Sequence, residues 1–309
     1  MHQFKAFPQT DFADARVTIR KTDSVILNAQ RVAPQVQEFS LHRLVIILLL
    51  CCALFVGIRY GNTGASAAQQ SKTAQQSKLL TAEQVAEATI FVYGSRPVLA
   101  QIRRNGIERG RILRYGLEGR NEESSYERRF IRGESMDKDK IRLDQKAPTL
   151  EYSLIYGDGR LWGIINGAAF TPRQDAANTF LSQNRHSIDT LLRYKENGST
   201  ITMVGKEQQK GLDLYVLNLV DKDRQSTRYY ISSKTYRILW LEYEEPPPAA
   251  GGAPLKFVRR FMDYRWAQST LVPYRSVLTE NGRDSVETRI MNVIFGVKID
   301  DSVFKNPEG

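Results

Sequence analysis

Cysteine is almost absent. The chain holds two, Cys51 and Cys52, side by side in one apolar run. Beyond them it can form no disulfide and no thiolate metal site, so its stability must come from an ordinary core. Histidine is nearly as scarce, at His2, His42 and His186. A single histidine in the long C-terminal part excludes a multi-histidine metal centre there. A lone helical histidine is more often packed or exposed than a general base. No G-x-S-x-G elbow, H-E-x-x-H pair or P-loop occurs, and the glycines of Gly198–Lys206 are wrongly spaced to cradle phosphate. The carboxylates of Asp300-Asp301 and of Glu242, Glu244 and Glu245 fall at strand ends, where acids are normally solvated. Asp137 and Asp139 beside Lys138 and Lys140 read as a charged turn. These absences argue against an enzyme, and no cofactor or metal is expected.

Long apolar runs are also scarce, and the conspicuous one is "LVIILLLCCALFVGI", Leu44 to Ile58. A bilayer-spanning helix needs about 20 apolar residues, so this stretch is short for a span and fits a signal-peptide core. Arg43 precedes it, and Ala65-Ser66-Ala67 offers a small-x-small cleavage site. Arg59 and Tyr60 intervene, and residues 1–43 are long for a leader; they read as a cytoplasmic tail or a mis-assigned start. A cleaved signal peptide is favoured, with an uncleaved signal anchor spanning 44–60 as the alternative. Either way Ala68–Gly309 is expected to be exported: periplasmic, secreted, or tethered to the inner membrane by residues 44–58. Residues 61–78 repeat AQQSK and are too polar to offset their ordering entropy, which marks a flexible linker.

What remains, residues 79–309, suits one domain. Of 44 basic and 34 acidic residues, 7 and 4 precede Ala68, leaving a net charge of +7 on residues 68–309. Such a surface favours anionic partners. Thr81 and Gln84 form a capping-box pattern, and Val85, Ala88 and Val92 recur at helical spacing; this predicts a helix ending near Gly94. The period then changes to two. Tyr126, Arg128 and Phe130 share one strand face, and Tyr152, Leu154 and Tyr156 another, with Gly157-Asp158-Gly159 as a hairpin turn. Thr171 can cap a helix opened by Pro172, whose stripe Phe180, Leu181, Ile188, Leu191 and Leu192 runs as one helix or two short ones. Strands resume at Thr200 and continue to Phe295, broken by the long loop Pro246–Pro254. The sum is a mainly β (α+β) antiparallel meander of about ten strands.

Several strands are apolar on both faces. Leu212, Leu214 and Val216 oppose Tyr215, Leu217 and Leu219. Ile238 and Trp240 oppose Leu239, Leu241 and Tyr243. Phe257 and Phe261 oppose Val258, Met262, Tyr264 and Trp266. Both faces therefore need cover, from helices, loops or an apolar ligand.

Three stretches carry a resemblance: "GLDLYVLNLVDKDRQSTRYYISSKTYRILWLEY" (Gly211–Tyr243), "FMDYRWAQSTLVPYRSVL" (Phe261–Leu278) and "VKIDDSVFKNP" (Val297–Pro307). Their order and spacing resemble the outer-membrane lipoprotein-sorting (LolA-like) family, over about 100 residues. The resemblance implies an open, strongly curved antiparallel half-barrel with helices covering its concave face. It implies non-covalent binding of a lipid or of a lipoprotein's acyl chains, by a carrier or chaperone. A monomer is expected, with the inner-membrane surface or an envelope protein as a further partner. Cavity candidates are Trp162, Phe180, Leu191, Tyr215, Trp240 and Phe261; Phe180–Leu192 is the candidate lid, with a plain core helix equally open. Arg109 and Arg111 are headgroup candidates, and the family's gating arginine could match any of Arg103, Arg104, Arg109, Arg111 or Arg114. An envelope sensor or scaffold of the same fold that binds a protein partner is the first alternative.

The arginine-rich stretch Ile102–Gly133 suggests a second alternative, a polyanion-binding module. Interspersed glutamates favour solvated strand faces laced by cross-strand ion pairs instead, and no nucleic acid partner is expected.

Overall fold

The computed structural model describes residues 80–116, 119–247 and 252–305. The apolar run Leu44–Ile58, its cleavage site and the linker 61–78 lie outside the described residues. Among the described residues no helix is long and apolar enough to cross a membrane.

Helix α1 (Ala82–Tyr93) begins where the capping box places it. The Thr81 backbone N–H donates to Gln84 Oε1 at 2.9 Å, and the Gln84 N–H donates to Thr81 Oγ1 at 3.2 Å. It stops at Gly94. Pro97, just beyond that stop, sits in the first turn of a new helix, α2 (Arg96–Ile102), where its missing N–H costs nothing.

The chain then forms a mainly β architecture, an open antiparallel sheet with thirteen strands among the described residues. Six run outward in sequence: β1 (Asn105–Arg114), β2 (Glu122–Ile131), β3 (Lys140–Lys146), β4 (Glu151–Gly157), β5 (Arg160–Ile165) and β6 (Ala168–Phe170). Two helices, α3 (Gln174–Arg185) and α4 (Ile188–Leu192), carry the chain to the far edge. Seven strands return: β7 (Thr200–Gln209), β8 (Leu212–Val220), β9 (Ser226–Ser232), β10 (Ile238–Glu245), β11 (Leu255–Ala267), β12 (Thr270–Glu280) and β13 (Arg283–Phe295). The last, β13, pairs with β1 and joins the two meanders, leaving β6 and β7 as edges. Three strands exceed the sequence expectation. β1 and β3 are charge-rich and lack an apolar alternation, and β6 is three residues long.

The meander is set by two-residue hairpins whose central residues both have positive φ. They are Asp158-Gly159, Asn166-Gly167, Lys210-Gly211, Gln268-Ser269 and Asn281-Gly282. Such turns match the twist of the flanking strands, and four of the five place glycine at the second position.

Two apolar clusters cover one face of the sheet. The larger joins α1 (Val85, Ala86, Ile90, Tyr93) and α4 (Leu191, Leu192) to β8–β12. The smaller sets Phe180 of α3 against Phe130, Ile141, Leu154, Val272 and Phe295. α3 begins two residues later than the Thr171–Pro172 signal suggests, with no side-chain cap, and the break at His186-Ser187 makes two helices. Leu181 is exposed rather than part of the stripe.

A β-bulge corrects one face assignment. The register shift between Ile238 and Trp240 puts Ile238 in the larger cluster with Leu241 and Tyr243. Trp240 stays on the opposite face, with Tyr230, Leu214 and Val216. A second irregularity, at Asp263 (φ 54°), brings Tyr264 onto the larger cluster beside Phe261.

Candidate functional site

Strand alternation builds the site. On β1, Glu108 and Ile112 point to the helix-covered face, and Arg109 and Arg111 point away. On β2, Tyr126, Arg128 and Phe130 share the helix-covered face; on β11, Arg259 and Phe261 do. Helix α3 lies over these strands through Phe180. Of its twelve residues only Phe180 and Ser182 are buried, whereas Ile188, Thr190, Leu191 and Leu192 of α4 are all buried.

Between α3, α4 and the sheet lies a cavity of about 640 Å³. Its apolar wall includes Ile112, Ile141, Leu143, Phe180, Phe261 and Ile290. That volume falls within the roughly 300–1,000 Å³ usual for small-molecule sites. At its rim, charges are matched: Lys222 with Asp137 at 3.2 Å, and Arg185 with Asp221 at 3.2 Å and Asp223 at 3.1 Å. Toward α2, Asp189 lies between Arg103 at 3.2 Å and Arg132 at 2.5 Å. Burial alone would raise the Asp189 pKa; the two guanidiniums outweigh it and hold the carboxyl well below the usual range.

Deeper in, the balance differs. Tyr126 donates its hydroxyl proton to Glu108 at 2.7 Å, and burial together with that carboxylate pushes the phenol up. Arg128 faces Glu108 across the β1–β2 ladder, forms no ion pair among the described residues, and lies 5.1 Å over the Phe130 ring. Among the described residues Arg259 has one hydrogen bond, from Nη1 to the Gln183 carbonyl at 3.4 Å, and its buried Nε has no partner there. Burial, with Arg128 nearby, lowers its pKa.

His186 is buried, stacked on Tyr243 at 3.9 Å, with Nδ1 2.7 Å from Thr227 Oγ1. Burial, reinforced by Arg185 and Arg259, lowers its pKa to about 3, so the ring is neutral. Among the described residues no group of three or more His, Cys, Asp or Glu side chains is placed to hold a metal.

Of the candidates from the sequence, Phe180 and Phe261 line the cavity. Leu191 and Tyr215 belong to the packed core instead. Trp240 lies on the other face. Trp162 does too, because it pairs with Ile155, while Tyr152, Leu154 and Tyr156 alternate toward the smaller cluster. Arg109 and Arg111 also face away, paired with Glu127 and Glu123. Of the other arginines considered, Arg103 lines the cavity, Arg104 lines a separate pocket near α2, and Arg114 donates to Gln145 at 3.3 Å. Glu108, Arg128 and Arg259 did not stand out as site residues. A signal existed: Arg128 falls between Tyr126 and Phe130, and Arg259 between Phe257 and Phe261, each a charge in register with core-facing aromatics.

No family model matches the sequence, and no curated protein does. Among solved structures the fold is similar to the following, all at 14% identity or less. A LolA superfamily protein from Nitrosomonas europaea is similar at TM-score 0.52 and 14% identity, covering 74% of this chain and 98% of that one. A DUF1329 family protein from Desulfovibrio piger is similar at TM-score 0.52 and 10% identity, with the same coverage of 74% and 98%. A domain described as an outer membrane lipoprotein-sorting protein, from Vibrio parahaemolyticus, is similar at TM-score 0.47 and 14% identity, covering 65% and 89%.

Proposed function

We propose that this is an exported envelope protein that binds an acyl chain non-covalently in the cavity under α3, either on a free lipid or on a lipoprotein, and acts as carrier or chaperone. The observation that supports this best is the cavity itself: about 640 Å³, with a largely apolar wall, beneath a helix seated by one aromatic anchor. Each acyl CH₂ moved from water to such a wall is worth about 0.8 kcal/mol, so a ~16-carbon chain offers on the order of 10 kcal/mol before ordering costs. No handful of polar contacts competes with that.

A carrier must also release. Helix α3, with mostly exposed residues, suits a movable cover, and α4, locked into the core, does not. The lid is therefore α3 alone, hinged at His186-Ser187. The arginine-rich outer faces of β1 and β2 hold ion pairs such as Arg111–Glu123 at 3.0 Å and Arg129–Asp144 at 2.9 Å, which weighs against a polyanion-binding surface.

The test is titration of a fluorescent fatty acyl probe. Wild type should bind it saturably, and Phe261→Asp should weaken binding at least tenfold while the protein stays folded. Unchanged affinity in folded Phe261→Asp would reject this cavity as the binding site.

A further inference from the structure

The cavity holds two cations that its apolar role does not explain. Arg128 and Arg259 both reach it, from β2 and β11. Among the described residues neither forms an ion pair, although nearly every other charged side chain on the wall does. The nearby carboxylate, Glu108, accepts the Tyr126 hydroxyl at 2.7 Å through one oxygen, and its single charge offsets only one of the two guanidiniums. The Arg259 Nε is buried without a partner, and its Nη1 bond to Gln183 is long.

Two guanidiniums left unpaired beside each other repel, and burying an unpaired charge is costly. An arginine presents five N–H donors in a planar fork suited to carboxylate and phosphate oxygens. Around the pair the wall is apolar, with Ile112, Phe180, Phe261 and Ile290. An anion here would quench the repulsion and use the orphaned donors, while a chain attached to it would run along the apolar side chains.

We propose that Arg128 and Arg259 form an anion subsite inside the cavity, so that the protein takes amphiphiles whose head carries a phosphate or carboxylate in preference to neutral ones of the same chain. This rests on the acyl-binding reading above and names the class of ligand that the site selects. The head is buried first and the chain flanks it, which is the reverse of a site that holds only the tail. Arg103 is not counted in the subsite, because Asp189 already pairs with it.

The test compares 1-lauroylglycerol-3-phosphate with 1-lauroylglycerol, which differ only by the phosphate, by calorimetric titration of the purified protein below the lipids' critical micelle concentrations. Wild type should bind the phosphorylated lipid at least about tenfold more tightly, the factor that one extra charge-assisted hydrogen bond supplies. In Arg128→Gln/Arg259→Gln the preference should shrink to about twofold or less, with affinity for 1-lauroylglycerol retained. Arg259→Met alone should cut the preference while leaving the melting temperature unchanged or higher, because a buried unpaired charge is removed; this separates a binding role from a structural one. Equal wild-type affinity for the two lipids would overturn the subsite and leave the apolar cavity standing. Binding of neither lipid would overturn both. Inorganic phosphate that alone matched the affinity of the phosphorylated lipid would keep the anion site and overturn a lipid headgroup as its source.

Discussion

Lowering the pH from 7 to 5 should destabilise the domain through one residue. His186 is the one histidine among the described residues, and it is 2% exposed. Its ring stacks on Tyr243 and its Nδ1 meets Thr227, with Arg185 and Arg259 close enough to disfavour a further positive charge. The unfolded chain takes a proton below an ordinary pKa of 6.5, and the folded chain does so only near 3. Stability from the neutral ring is thus complete above about pH 6.5 and is lost progressively as pH falls toward 3. At 1.36 kcal/mol per pH unit the full loss approaches about 5 kcal/mol, and the part between pH 7 and 5 is about 2 kcal/mol. The carboxylates held low by ion pairs do not confuse this window, and Asp139, raised by burial, contributes with the opposite sign. Glu87, held at about 2 by its bonds to Arg96 and Lys195, and Glu287, held at about 2 by Arg275 and Arg289, lose their contributions only below the ordinary carboxylate range near 4.5. Urea unfolding at pH 7 and 5 measures the effect. His186→Phe keeps a ring on Tyr243 and removes the titrating nitrogens. It leaves the buried Thr227 hydroxyl without that partner, costing about 1–2 kcal/mol at pH 7. The variant should therefore start lower but show little change between the two pH values. A wild type equally stable at both, or a variant with the wild-type pH slope, would refute the reasoning.

Three further outcomes follow from packing. Gly110→Ala puts a Cβ 2.2 Å from the Arg289 carbonyl oxygen and 2.8 Å from Tyr126 Cε1; it should cost about 2–3 kcal/mol by urea unfolding, and a loss under 0.5 kcal/mol would contradict the close approach of β1 and β13. Phe180→Asp should weaken acyl-probe binding, whereas Trp240→Asp, on the opposite face, should leave it within about twofold in folded protein, a reversal that the faces of β10 dictate. Thr81→Ala removes one half of the capping box and should lower stability by about 1 kcal/mol; no change would mean that α1 is held by packing alone.

Much of the fold was legible because hairpins and caps are local. The Thr81–Gln84 box, the Asp158-Gly159 turn and the two-faced apolar strands each express a rule that acts within a few residues. The resemblance carried by Gly211–Tyr243 and Phe261–Leu278 then supplied the architecture. β1 and β3 escaped notice because their outer faces are stabilised by ion pairs rather than by an apolar alternation. The site was less legible, for a physical reason. Alternation says which residues of a two-faced strand share a side but not which side the helices cover: Trp240 opposes Leu241 and Tyr243 as the sequence has it, and theirs is the helix-covered face, while the shift at Ile238–Trp240 moves Ile238 without a mark in the sequence. Tyr215 of β8 and Leu191 of α4 are both taken into the larger cluster with α1, a matter of helix placement far along the chain. Arg128 and Arg259 carried a local signal, a charge on a core-facing aromatic stripe, but each becomes a site residue only when β2 and β11 are brought to one cavity through β1, β13 and β12.

The most direct test of the central claim is native mass spectrometry of Ala68–Gly309 produced in a bacterial periplasm and purified without detergent; Ala74–Gly309 makes its contacts as one unit. The account predicts an added mass that organic extraction identifies as a lipid or acylated peptide, and its loss in Phe261→Asp. A bare protein mass that stays bare after incubation with phospholipid or acylated peptide would contradict it.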